Sequence, residues 1–285
     1  MHKTLSFVGA ALLLLGCGDN LTHPDPDHPE VGSGGAGGGG GAGAFSCIPN
    51  LDGQIDAAEL AAVYNVPVTY LVNPPSDPRT VDLQGTMGSN GLEWDFSQDY
   101  ADDESFTLTA IEVTSAWYAS SFPTGQFATP LDVRETLDGV YSADDAGIYL
   151  LGIASHAEMP SSGQTLLVYD APIAVYRFPL APGATWVSTG NVRNGTIDGL
   201  PYSGKDVYEI SDDAIGQLAL RDFTFQQAHR VRTHVTSSPA VGASQEHWQV
   251  GFVFECFGEV TRATSAVGDM SEDFTSAAEL RRLGQ

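Results

Sequence analysis

Basic residues are scarce: 12 Lys and Arg stand against 36 Asp and Glu, for a formal net charge of -24. The cationic footprint that grips a phosphate backbone is missing, which excludes nucleic-acid binding and sets the surface against anionic lipid. Cysteine is limited to three residues; neither Cys47 nor Cys256 sits in an activating context, which sets a cysteine nucleophile aside. The apolar stretch from Leu5 to Leu15 is too short to cross a bilayer, which takes about 20 residues. A Gly-x-Ser-x-Gly elbow, a His-Glu-x-x-His zinc helix, a phosphate loop and a dinucleotide fingerprint are all missing, so hydrolase and nucleotide chemistry lose their usual support.

The sequence opens on a signal-like pattern. Met1-His2-Lys3-Thr4 is a short, singly basic n-region, and Leu5 to Leu15 suits a signal h-region. The run ends in Leu14-Leu15-Gly16-Cys17, which resembles the lipobox of bacterial lipoproteins, with Gly16 before the cleavage point and Cys17 as the modified residue. The resemblance implies a signal peptide over 1–16, a thioether-linked diacylglycerol on Cys17 and a further acyl chain such as palmitate on its amino group. Two or more chains make such an anchor durable. An ordinary secretory signal carrying a chance cysteine is the other reading. Gly18 follows Cys17, with Asp19 only after it, and among lipoproteins that order favours the outer membrane. The expected location is the cell envelope, with the membrane as partner through the lipid.

Residues 17–44 contain His23-Pro24-Asp25-Pro26-Asp27-His28-Pro29 and a Gly/Ala/Ser run from Gly32 to Ala44. Such composition cannot bury enough apolar surface to order itself and reads as a tether, with a reach of roughly 30 Å. From Phe45 the texture changes to β-branched and aromatic residues broken by turn dipeptides: Asn90-Gly91, Asp138-Gly139, Asn194-Gly195 and Asp198-Gly199. Strand-like runs cover Val66 to Val72, Phe106 to Thr114, Ile148 to His156, Thr165 to Tyr169, Val207 to Ile210, Phe223 to Val235 and His247 to Phe257. The expectation is a single mainly β domain over 45–285, a curved antiparallel sheet forming a half-barrel or sandwich, with one or two short helices. One helix would follow Asp56, where Asp56 and Glu59 match a capping box, and a second would span Ala277 to Leu283. In the two late runs, Phe225, His229 and Val231 share a core-facing side against wet Arg230, Arg232 and His234. Trp248, Val250, Phe252, Phe254 and Cys256 in turn face inward against His247, Gln249 and Glu255.

Export places Cys47 and Cys256 in an oxidising compartment, where a Cys47–Cys256 disulfide follows by elimination; two buried free thiols are the alternative. Residues 48–59, at the head of the 45–65 segment, resemble the calcium loop of EF-hand and dockerin proteins. Asn50, Asp52, Asp56 and Glu59 match side-chain ligand positions, Gln54 offers its carbonyl and Gly53 the sharp turn. Ile48 occupies the first ligand position, which normally holds aspartate, so calcium binding stands beside a plain Asp-Gly turn into a capped helix. No cofactor is required by anything else in the sequence.

Three further stretches, Tyr169 to Pro172, Tyr176 to Trp186 and Phe257 to Arg262, resemble exported, uncharacterised bacterial lipoproteins, myxobacterial ones among them. That resemblance implies a half-barrel similar to periplasmic lipid carriers and transfers no activity. Trp94, Trp117, Tyr118, Phe122, Tyr176 and Phe178 suggest a non-enzymatic module that binds a hydrophobic molecule or an envelope protein. A carboxylate-dependent envelope hydrolase is the alternative, with Glu93 and Asp95 flanking Trp94 as its acids, and a calcium-stabilised surface protein is a third reading. The Asp102-Asp103-Glu104, Asp144-Asp145 and Asp212-Asp213 groups read as solvated loops. Replacing Cys17 by Ser is expected to abolish metabolic labelling with a tagged fatty acid and to release the protein from the membrane pellet. A labelled, membrane-bound variant would refute the lipid site.

Overall fold

The computed structural model describes residues 47–61, 64–89 and 91–284; Cys17 and the tether lie outside them. Alternating β-branched and aromatic residues form strands throughout. In chain order these are β1 (Pro67–Val72), β2 (Arg79–Thr80), β3 (Thr86–Gly88), β4 (Gly91–Phe96), β5 (Glu104–Thr109) and β6 (Ile111–Glu112). There follow β7 (Phe127–Pro130), β8 (Leu137–Asp144), β9 (Gly147–Ser155), β10 (Leu166–Arg177), β11 (Thr185–Ile197) and β12 (Leu200–Leu220). The last are β13 (Thr224–Pro239), β14 (Gln245–Phe254), β15 (Gly258–Thr264), β16 (Ser276–Ala277) and β17 (Glu279–Leu283).

The main sheet runs β5-β1-β17-β15-β14-β13-β12-β11-β10-β9-β8-β7-β6. Its two ends belong to one stretch of chain, since β5 and β6 are separated by Ala110 alone. β5 pairs with β1 and β6 pairs with β7, so the sheet curls into a nearly closed antiparallel barrel, which removes the exposed edges of an open sheet. Among the described residues the one parallel pairing is β4 on the lower half of β12. Asp198-Gly199 makes the expected two-residue hairpin between β11 and β12, both residues having positive φ.

Both faces of the central strands are buried. Inside, Phe127, Tyr141, Tyr176, Ile210 and Val231 belong to one core. On the outer face of β12–β15, Val250, Phe252 and Phe254 pack beneath a roof that supplies Val81, Leu83, Trp94, Phe96 and Phe274. A second lobe, around Tyr118 and Phe122, covers Val140 and Ala154. Arginines hold the roof down: Arg230 donates to the Leu83 carbonyl at 2.6 Å, Arg232 to the Glu272 carbonyl at 2.7 Å, and Arg282 to the Phe96 carbonyl at 2.8 Å. The neighbouring acids Asp213, Asp273 and Asp103 pair with these same guanidinium groups.

Several sequence expectations are corrected here. The apolar side of β14 faces the roof, and its polar side, His247 and Gln249, faces the barrel interior, both nearly inaccessible. Arg230 and Arg232 are buried for the same reason: the outer face is roofed, so alternation separates two interiors instead of core from solvent. Cys256 lies in the connection after β14, with φ 65°, half-buried. Ala277 to Leu283 spans the end of β16, paired with β2, and β17, held as strand by pairing with β1 and β15. The helix after Asp56 is a single 3-10 turn, Ala57–Leu60, with the Asp56/Glu59 capping box formed. Asp138-Gly139 sits within β8, where Gly139 is needed because a Cβ would lie 2.6 Å from the Tyr141 hydroxyl, and Asn194-Gly195 lies at a bulge of β11. Asp212 and Asp103 are buried ion-pair partners, not solvated loop acids.

Phe252 meets Trp94 at 4.9 Å and Phe96 at 5.3 Å between ring centroids. Phe252→Ala is expected to cost about 3–5 kcal/mol in urea unfolding, against about 0.5 kcal/mol or less for Val187→Ser at a position 59% exposed. Equal effects would mean that the roof is not a true core.

Candidate functional site

The polar residues turned into the barrel converge on one enclosed cleft. Val175 and Tyr176 of β10, Ile210 of β12 and Val231 of β13 give it an apolar wall; Gln249 of β14 and Glu259 and Arg262 of β15 give it a polar one. Bulges make this possible. Residues three apart on a regular strand point to opposite faces, but a register shift between β14 and β15 at Val260 adds a residue and turns both Glu259 and Arg262 inward. A similar shift in β10 between Ala174 and Tyr176 lets Val175 and Tyr176 both line the cleft. Gly251, the ladder partner of Arg262, lies under the Glu259 carboxylate; a Cβ there would stand 2.6 Å from Glu259 Oε2, so a larger residue would push the carboxylate out of its present place.

The electrostatics are those of charges in a dry place. Arg262 Nη2 lies 2.6 Å from Glu259 Oε1, and Arg281 Nη2 donates to Glu279 Oε1 at 2.9 Å. Burial pushes the Glu259 carboxyl above its ordinary range against the pull of Arg262, and burial together with the Glu259 charge raises the Tyr176 phenol well above its own. His247 is driven down to about 4 by burial, with the His234 and Arg262 charges adding to it. Glu259 Oε2, the Tyr176 hydroxyl and the Nε and Nη1 nitrogens of Arg262 have no hydrogen-bond partner among the described protein atoms. Buried polar atoms in native proteins are almost always satisfied, so these atoms call for a partner from outside the chain, whether water or a larger polar molecule. At the present side-chain positions the cleft has space for about one water-sized group.

Two other constellations escaped the sequence reading. Asp138 accepts hydrogen bonds from Tyr118 at 2.7 Å and from His156 Nδ1 at 2.9 Å, leaving the half-exposed ring of His156 oriented toward solvent. Burial tends to lower the His156 pKa, but Asp138, Glu135 and Asp132 outweigh it and raise it. Asp212 and His229 form a wholly buried pair at 2.8 Å. These acids lie far in sequence from their partners, and no local motif signals them. Charged residues inside the run Phe257 to Arg262 were the available hint for the central cleft.

The residues singled out from sequence are dispersed. Cys47 and Cys256 are bonded, which ties the first described residue to the connection between β14 and β15. In the calcium-like loop, Asn50 Oδ1 accepts from the Asp52 amide, Asp52 from the Gln54 amide, and Glu59 from Asn50 Nδ2 and the Asp56 amide. The loop's polar side chains thus bond within the loop, and Glu255 anchors it by accepting the amides of Asn50 and Leu51. Among the described residues no group of three or more His, Cys, Asp or Glu could hold a metal ion. Glu93 and Asp95 flank Trp94 on the outer side of the roof, and Asp95 is occupied by Ser97. Trp94, Tyr118, Phe122 and Tyr176 are buried in the separate cores, with Trp117 and Phe178 packed partly against them.

His247 supplies a pH test. Its folded pKa lies below the unfolded value of about 6.5, so its contribution to stability is complete above that value and falls as pH drops toward about 4. Urea midpoints of the wild type and His247→Asn should converge across that window; a constant difference would place a charged histidine in the barrel. No family model, curated protein or solved structure matches this chain.

Proposed function

We propose that this chain is an exported, lipid-anchored binding module that acts without catalysis and holds a small molecule inside its barrel. The observation that supports the reading is the central cleft: one apolar wall, one polar wall, and buried hydrogen-bonding atoms on Glu259, Arg262 and Tyr176 that the protein itself leaves unused. The reading narrows the hydrophobic ligand suggested by the aromatic residues. Those aromatics fill cores, so the guest is small, with a polar group and a short apolar part. The lipid on Cys17 and the tether belong to the same proposal and rest on the lipobox.

A protein partner is the second reading, favoured by the end of the barrel opposite Cys47. Met159, Leu200, Val241, Val267 and Met270 are exposed on or beside the connections 156–165, 198–199, 240–244 and 265–275. An apolar residue on each neighbouring tip, on a chain of net charge -24, suits a basic protein surface with apolar contacts.

Native mass spectrometry of the mature protein, with a screen of small polar-headed compounds by thermal unfolding, tests the main reading. The expected result is saturable stabilisation by at least one compound class, unchanged in a Leu200→Ser/Val241→Ser variant. An empty protein that no compound stabilises would overturn it.

A further inference from the structure

The orphaned atoms of the cleft are not balanced between donors and acceptors. Arg262 brings five N–H groups on three nitrogens; Nη2 is paired with Glu259 Oε1, while Nε and Nη1 have no partner among the described protein atoms. Tyr176 adds a hydroxyl, and the unsatisfied acceptor facing them is Glu259 Oε2. A water molecule accepts two hydrogen bonds and would leave most of these donors unmet. A planar carboxylate presents about four acceptor positions and matches a guanidinium fork in two parallel bonds. The opposite wall, Val175, Ile210 and Val231, is apolar and suits a short alkyl end.

Charge decides how such an anion could stay. Glu279 and Arg281 reach the cleft from β17, His247 from β14, Tyr141 from β8, Tyr70 from β1 and Tyr208 from β12; the lining residues of β13, Val231 and Thr233, carry no charge. His247 is neutral, and burial holds the Tyr141 and Tyr176 phenols protonated, so Arg262 and Arg281 balance Glu259 and Glu279. An added anion leaves one uncompensated negative charge in a buried site, which is costly. A proton on Glu259 restores the balance and gives its carboxyl a donor toward the guest.

We propose, resting on the binding-module reading above, that the barrel takes up a small monocarboxylate together with one proton, the carboxylate on Arg262 and Tyr176, the proton on Glu259. The burial that already favours the protonated form of Glu259 works in the same direction. Entry requires the cleft to widen by several times its present space, which holds about one water-sized group, with Arg262 and Glu259 moving apart.

Propionate is the probe, titrated into the mature full-length protein at pH 5.5 and 7.5 by calorimetry and thermal unfolding, with sodium chloride keeping ionic strength equal. Propionamide, propanol and propylamine are the matched controls. Saturable binding of propionate alone is expected, tighter at pH 5.5 by up to about tenfold per pH unit. Tyr176→Phe, which keeps the ring and its packing, should weaken it about tenfold or more, the worth of a hydrogen bond to a charged group. Arg262→Met should abolish it, and the tyrosine variant keeps the test decisive where the arginine variant does not fold. Stabilisation by propionamide or propanol with propionate inert would sink the carboxylate proposal and leave the binding module standing. Inertness of all four compounds would sink the carboxylate proposal and leave the binding module to the wider screen above, and equal propionate affinity in the wild type and Tyr176→Phe would remove the assigned site.

Discussion

From Ala228 to Thr233 of β13 and along most of β14 and β15 the sheet has no wet face, because it closes around one side of these strands and a roof lies on the other. Every side chain along them must then find either an apolar neighbour or a polar partner, and the sequence supplies both kinds. Arg79, Arg230, Arg232, Arg262, Arg281 and Arg282 are all buried, half of the chain's 12 basic residues. All but Arg262, whose pair is Glu259 three residues away, draw in acids or backbone carbonyls from segments distant in sequence. Replacing such a group by an unpaired one is far more damaging than losing a surface ion pair. The structure therefore depends on cations that are few in number and placed where water is not.

This explains why the surface is so acidic. With its arginines committed to the interior, the chain has few positive side chains left for its exterior: Arg134, Arg177, Arg193, Lys205 and Arg221 among the described residues. Buried acids such as Asp138, Asp206, Asp212, Glu255 and Glu259 remove only a minority of the 36. The net charge is thus partly a by-product of how the barrel is fastened, and the acidic exterior favours solubility without naming a ligand.

The strands themselves were legible from alternation, and so was the hairpin at Asp198-Gly199, because both signals are local. The Cys47–Cys256 bond could be reached by elimination. Which side of a strand faces inward was not legible: period two distinguishes two faces, and when both are covered the more apolar one need not be the inner one. Phe252 and Val250 looked central and belong to the roof contact; His247 and Gln249 looked wet and line the barrel. The cleft stayed hidden for a related reason. Glu259 and Arg262 share a face because of a bulge at Val260, and a bulge has no sequence mark as plain as a turn dipeptide. The pairs Asp138–His156 and Asp212–His229 likewise join neighbouring strands, which no single segment reveals.

The bond between Cys47 and Cys256 also determines how the domain carries load. Tension arriving from the chain ahead of Cys47 passes through sulfur directly into the connection between β14 and β15, at the lower end of the roofed strands. The segment from Ile48 to Leu60, with its calcium-like turn and its single bridge from Ile55 to Leu180, lies off that path. A pull that would otherwise unzip it residue by residue is instead shared by the ladders of β13, β14 and β15. Those ladders resist together, so the covalent link makes the turn that follows Cys47 a bystander to force.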